Sequence, residues 1–246
     1  MLLRLRIKTL LNMKKGYSII IAFLFAITIY GQGFTGFVFG GNMSFLTGDS
    51  TTFDKRSPKY GFYGGIMRDI YIDRFTYIQW GVFYSAQGAI YRKEYYDKAI
   101  FYRDNKILKI NYIHIPVVWK QNWEWIFTEL GGYVNIVPGT ANAIWQQEIH
   151  YADSIYISAG EYFSFSKEIR LYDIGLVMGL GYQFKVNEQF DMFFNIRYKP
   201  GFIRINRGYV AYPEYSSKNQ VFTLSIGLIN IGKIARHRLT SRKLKR

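Results

Sequence analysis

The sequence contains no cysteine and only five prolines in 246 residues. Without cysteine there is no disulfide framework, no thiolate-ligated zinc or iron–sulfur site, and no cysteine to carry a lipid anchor after export. After residue 30 no apolar run approaches the ~20 residues a spanning helix needs, which excludes an all-helical membrane protein. Charged residues make up only 20% of the chain while aromatics reach 19% (22 Tyr, 20 Phe, 5 Trp), a balance wrong for a disordered chain. The chain should fold, and its apolar residues must be spread through short segments.

The formal charge of +15 invites a nucleic-acid reading, but position removes most of it. The first 31 residues hold five basic residues and no acid, and 233–246 hold seven and no acid; without these twelve, 20 basic residues face the same 17 acids. The body between is therefore close to neutral, and nucleic acid is not an expected partner.

Each basic end has its own reading. Met13-Lys14-Lys15 forms a positive segment, residues 18–29 an apolar stretch too short to span, and Tyr30-Gly31-Gln32 a small-residue cleavage site. Residues 1–31 are thus expected to be a signal peptide, with Met13 the better initiator, and the exported chain to begin near Gln32. An uncleaved anchor is the alternative. The tail at 233–246, with Arg236 and Arg242, reads either as a polybasic segment attracted to anionic headgroups or as a docking segment for an acidic partner.

Between the ends, segments of period two follow one another. In Tyr172–Phe184 every even position is apolar or aromatic, while the odd positions are Asp173, Gly175, Val177, Gly179, Gly181 and Gln183. Residues 190–198 and 222–228 repeat the pattern. Five further segments match less cleanly: 36–45, 60–72, 76–92, 107–120 and 126–137. In 60–72 the faces cannot be assigned, because Arg68 and Asp69 fall on opposite sides. The connections alternate between tight turns (73–75, 121–125, 185–189) and long polar stretches (46–59, 93–106, 139–164, 206–219). That alternation predicts an all-β fold, an eight-stranded antiparallel up-and-down transmembrane β-barrel over 32–232, with both termini at the short-turn, periplasmic rim.

The distribution of charge separates a membrane barrel from a soluble one. Here the strongly apolar face is nearly free of charge, and the other carries Asp173, Glu129, Arg197, Asn195 and Gln79. Charge is expected in the lumen and lipid outside, since only a closed barrel satisfies strand backbones in a bilayer. Glu129, Asp173, Arg197 and Lys120, with Asp69, then either pair across a narrow bore or line an ion path; an unpaired charge there is costly, which favours pairing.

Asn111-Tyr-Ile-His-Ile-Pro-Val-Val-Trp-Lys120, Gly40-Gly-Asn-Met-Ser44, Tyr84-Ser-Ala-Gln-Gly-Ala89 and Tyr172–Phe184 followed by Arg197-Tyr198 resemble, in order and spacing, strands of the PorT-like outer-membrane β-barrel family. The resemblance covers nearly all of the exported chain. It implies an eight-stranded outer-membrane barrel and insertion by the barrel assembly machinery; most members of the family are of unknown task, and its namesake, associated with a protein secretion system, suggests a task accessory to protein secretion. In that family the last strand usually stops at a terminal aromatic, whereas here it runs into the basic tail.

No cofactor is implied, and three dispersed histidines give no metal site. His150, Asp153 and Ser154 supply the residue types of a rim enzyme, but His, Asp and Ser are common in loops, and no enzyme is expected. The outer connections are rich in aromatics, among them Tyr95, Tyr96, Trp145 and Tyr151, which read either as partner contacts or as strands extended past the bilayer. The expected function is a non-enzymatic scaffold or interaction component in the outer membrane, with outer-membrane lipid around it and a protein partner at the loops or tail. A small pore or solute-binding barrel is the alternative, and a lipid-modifying rim enzyme the remote one.

Overall fold

A computed structural model of the chain describes residues 33–48, 55–97, 100–139, 141–151, 154–158, 160–164, 169–205 and 217–231. The chain divides into two units, Met1–Gly33 and Phe34–Arg246. All of the first unit but Gly33 lies outside the described residues, so the expected signal peptide does too; the tail with Arg236 and Arg242 is likewise outside them. Every regular element among the described residues is a strand: β1 (Gly33–Thr47), β2 (Lys55–Ser57), β3 (Lys59–Tyr71), β4 (Thr76–Asp97), β5 (Ile100–Trp123), β6 (Ile126–Ile136), β7 (Asn142–His150), β8 (Ile155–Ile157), β9 (Glu161–Ser164), β10 (Tyr172–Lys185), β11 (Phe190–Arg204) and β12 (Lys218–Asn230).

Eight of these close into a ring in the order β1-β3-β4-β5-β6-β10-β11-β12, with β12 returning to β1. The closing ladder is antiparallel and unbroken from Thr35↔Asn230 to Thr47↔Lys218. Closure removes the free sheet edge, so every strand's backbone groups find partners without water. Side chains then alternate between two solvents. On β10, Ile174, Leu176, Met178 and Leu180 are exposed outside, while Asp173, Gly175 and Val177 are buried inside. Along β12 the alternation holds throughout, with Phe222, Leu224, Ile226 and Leu228 outside and Thr223 and Ser225 inside. The exterior is apolar and the interior holds the charged and amide side chains, together with apolar clusters around Phe83, Phe127 and Phe193 and around Leu46, Ile110 and Tyr112; charge inside and almost none on the lipid face is the inverse of a water-soluble barrel.

The undecided segment is resolved: Tyr63, Met67 and Asp69 face inward on β3, and Phe62 and Ile66 face outward. Arg68 falls on the outer side, half-buried and only three residues from the strand's end at Tyr71.

Local chemistry explains the short-turn rim. Between β3 and β4, the Asp73 carboxylate accepts the Phe75 N–H (2.9 Å). Glu124 takes a left-handed φ of 65° in the two-residue connection between β5 and β6. Asn187 accepts the N–H groups of Gln189 and Phe190, each at 2.8 Å, ahead of β11.

At the other rim the structure corrects the expectation. Residues 93–106 are not a long loop: β4 and β5 stay paired out to Asp97↔Ile100. In 139–164, β7 pairs with β5 from Lys109↔Asn142 to Phe101↔His150, and β8 and β9 pair in turn with β7. With β2 on the far side of β4, these strands form a sheet extension beyond the ring.

Candidate functional site

Two places concentrate chemistry, the bore and the outer sheet extension. In the bore, Arg197 on β11 donates from Nε to Glu129 Oε2 (2.6 Å) and from Nη2 to Glu129 Oε1 (2.8 Å), a bidentate pair with both side chains buried. Asn195 adds a bond to Glu129 Oε2 (3.3 Å). Arg197 Nη1 reaches the Tyr63 hydroxyl (3.4 Å), and Nη2 also donates to Gln79 Oε1.

Gln79 joins this pair to a second one. Its amide donates to Asp69 Oδ1 (2.7 Å), and Asp69 Oδ2 accepts from Lys120 Nζ (3.1 Å). Lys120 also donates to Gln183 Oε1 (3.1 Å), whose amide donates to Asp191 Oδ2 (3.1 Å). The ammonium stands 4.2 Å from the centre of the Phe127 ring. One continuous network thus runs from Glu129 to Asp191. Breaking either buried pair by removing one partner strands a charge at a cost of ~3–5 kcal/mol.

Asp173 stands apart from both pairs. Its Oδ2 accepts from Tyr133 (3.1 Å), Asn135 (3.3 Å) and Asn219 (3.5 Å), and Asn135 Oδ1 lies 2.7 Å from His114 Nδ1. Lys199 is buried over the Tyr63 ring, its Nζ 4.4 Å from the ring centre. Of the four lumen charges picked from the sequence, then, Glu129 and Arg197 pair with each other, Lys120 pairs with Asp69, and Asp173 is held by neutral donors. Gln79 was placed on the lumen side without a partner, and Tyr63, Lys199 and Asn219 were not picked. Their only sequence signal is an inward position in the alternation, which says nothing of partners.

The outer sheet has two unlike faces. One carries Glu94, Arg103, Glu148 and His150: Arg103 bridges Glu94 (3.1 Å) and Glu148 (3.2 Å), and His150 Nε2 lies 3.6 Å from Glu148. The other carries Tyr95 stacked on Tyr102 (5.2 Å between centres, 8° between planes), with Gln147 donating to the Tyr95 hydroxyl (3.2 Å) and to Asp104 (2.9 Å). Burial, with Asp104 nearby, pushes the Tyr95 hydroxyl above its usual pKa. Tyr95, Tyr96 and Trp145 therefore lie on strands rather than in loops; Tyr96 is 76% exposed and Trp145 48%. Tyr151 follows β7 directly and donates its N–H to Ser154 O (2.8 Å). Asp153 lies outside the described residues, so His150 and Ser154 have no described third member. Among the described residues no group of three His, Asp or Glu side chains could hold a metal ion.

Several solved structures are similar to the chain. Neisserial surface protein A is 13% identical over 82% of this chain and 97% of its own, with a TM-score of 0.36. Ail, the attachment invasion locus protein of Yersinia pestis, is 12% identical over 80% and 98%, with a TM-score of 0.36. The outer membrane protein OprG from Pseudomonas aeruginosa is 12% identical over 81% and 97%, with a TM-score of 0.30. No curated protein matches the chain. The family described as outer membrane protein beta-barrel domain matches residues 32–207. With an eight-stranded ring, a polar bore and an apolar exterior, the chain belongs to that family, as a protein of the cell outer membrane.

Proposed function

We propose that this barrel is a non-enzymatic scaffold of the outer membrane, its bore plugged by paired charges and its outer sheet serving as a surface for a protein partner. The observation that carries the reading is the network from Glu129 through Arg197, Gln79, Asp69 and Lys120 to Asp191, in which Arg197 pairs with Glu129 and Lys120 with Asp69 inside the barrel. A narrow eight-stranded bore filled in this way leaves the outer sheet as the feature offered to the surroundings. Its exposed Tyr96 and Trp145 have the aromatic character of contact surfaces. The short-turn rim and both termini face the periplasm in this reading, which the alternation of short and long connections supports. The strand motifs shared with the PorT-like family favour a partner belonging to a secretion apparatus.

A second reading, a narrow pore, draws on one observation. Tyr112 OH, His114 Nε2, Asp173 Oδ1, Lys199 Nζ and Asn219 Oδ1 are buried with no hydrogen-bond partner among the described residues. Such atoms ask for water, and a hydrated stretch of bore could conduct if the charge network and the apolar clusters around Ile110 and around Phe127 opened. Planar-bilayer recording separates the two. A silent membrane supports the plugged scaffold, and steady single-channel openings overturn it. Crosslinking in intact outer membranes followed by purification tests the partner: a Trp145→Ala, Tyr96→Ala variant that keeps every crosslinked protein would remove the outer sheet from the reading.

A further inference from the structure

The exterior of β10–β12 at the long-connection rim carries an unbalanced set of cations. Arg204 and Lys218 face each other directly in the β11–β12 ladder, both exposed, and Lys218 pairs on its other side with Thr47. Arg170 joins them from two residues before β10, its N–H donating to Ile205 O (2.7 Å). Like charges directly opposite in a ladder are destabilising, and no described carboxylate makes an ion pair with any of the three.

Two other groups of exterior cations have carboxylates beside them. In the outer sheet Arg103 lies between Glu94 and Glu148, and at the short-turn rim Arg74 and Lys185 share the surface with Asp73, Glu124 and Glu188. What lies below the three cations locates them. Four residues along β12 from Lys218, Phe222 stacks on Tyr198 (4.7 Å between centres) and on Phe45 (6.3 Å), an aromatic belt of the kind that marks a membrane interface. At ~3.3 Å per residue and a strand tilt near 40°, the cations stand roughly 10 Å above that belt, at headgroup depth.

We propose that Arg170, Arg204 and Lys218 form a binding site for the phosphorylated headgroup of an outer-leaflet glycolipid. The site's place in the outer leaflet rests on the orientation given under Proposed function. Two guanidinium groups and an ammonium supply charge-assisted donors for phosphate oxygens, and Phe222, Tyr198 and Phe45 pack the acyl chains below. An anion held there also relieves the Arg204–Lys218 repulsion.

The test is native mass spectrometry of the full chain, folded in detergent and checked for the folded form by gel mobility, with added phosphorylated lipid A, its dephosphorylated form, phosphatidylcholine or inorganic phosphate. The wild type should retain phosphorylated lipid A over the other lipids. An Arg204→Gln, Lys218→Gln double variant should lose at least about tenfold of that retention. Arg204→Lys with Lys218→Arg should keep it, and Arg74→Gln with Lys185→Gln at the other rim should leave it unchanged. Equal retention of the dephosphorylated lipid, or full retention by the double Gln variant, overturns the site. Displacement by millimolar inorganic phosphate overturns the lipid as its ligand. Orientation is read separately: the chain has no cysteine, so Asn142→Cys gives a single thiol for an impermeant maleimide added to intact cells. Labelling supports the outer-leaflet assignment. Protection with lipid retention intact overturns the orientation and the leaflet, but leaves the phosphate site standing.

Discussion

Arg197 and Glu129 clasp each other across an intervening strand, and the residue between them is Gly179. In register, Gly179 pairs with Arg197 on one side and with Glu129 on the other. A Cβ at position 179 would stand 2.6 Å from Glu129 Oε2 and 3.2 Å from Arg197 Cγ. The absence of a side chain on β10 lets the ion pair close over it. Gly179→Ala should therefore push the two groups apart and destabilise the barrel by ~1–3 kcal/mol, as overpacking does. Urea unfolding in lipid vesicles measures it, and an unchanged midpoint would show that the pair tolerates the methyl group.

The pair itself makes a sharper prediction. Arg197→Met removes the cation, leaves Glu129 buried with the Asn195 amide alone, and takes the donor from Gln79 Oε1 and the Tyr63 hydroxyl, so it should cost ~3–5 kcal/mol. Adding Glu129→Gln removes the stranded charge and should return a large part of that loss. Unfolding free energies of the two singles and the double form a cycle, and additivity of the single effects would argue against the coupling.

How much of this could be read in the sequence follows from where each side chain sits. Period two along Tyr172–Phe184 is imposed by lipid on one face and a polar bore on the other, so the eight strands and the direction of Leu176 or Asp173 were legible. Past the bilayer both faces meet water and the constraint lapses. Lys93-Glu-Tyr-Tyr-Asp97 therefore looks like loop although it is strand paired with 100–104. Partners were not legible either. Arg197 meets Glu129 from 68 residues away and Lys120 meets Asp69 from 51, matches decided by register and barrel stagger rather than by local pattern.

The assignment of faces is itself testable. Leu176 lies on the lipid side of β10, between Ile174 and Met178. Leu176→Arg should cost ~2–4 kcal/mol if it lies near the bilayer midplane. Val177→Thr, one residue on and facing the bore against Val118 and Tyr133, should cost less, because it buries one neutral hydroxyl where Leu176→Arg puts a charge into hydrocarbon. Vesicle unfolding of the two variants settles the order; the reverse order would turn the barrel inside out.

At the short-turn rim, the Phe75 N–H bonded to the Asp73 carboxylate holds its pKa below the usual aspartate range, despite a small opposing effect of burial. A depressed folded-state pKa means that the turn's contribution is complete above the ordinary carboxyl pKa and is lost as pH falls through the lowered value. Carboxyl NMR of the folded chain should place the Asp73 midpoint below that of free aspartate. A midpoint at or above it would mean the turn bond is not made in solution.

The outer sheet should behave as a separate stability unit, because it leans on the ring through β4 and β5 while its aromatic face is held by a few contacts. Tyr95 carries several of them: it stacks on Tyr102, accepts from Gln147, and lies under the Lys93 ammonium at 5.7 Å. Tyr95→Ala removes all three, the stack alone being worth ~0.5–1.5 kcal/mol. Amide hydrogen exchange should then quicken in β7 and in the outer ends of β4 and β5, while β10–β12, whose ladders lie wholly in the ring, exchange at their original rates. Faster exchange spread evenly around the ring would instead show that sheet and barrel open together.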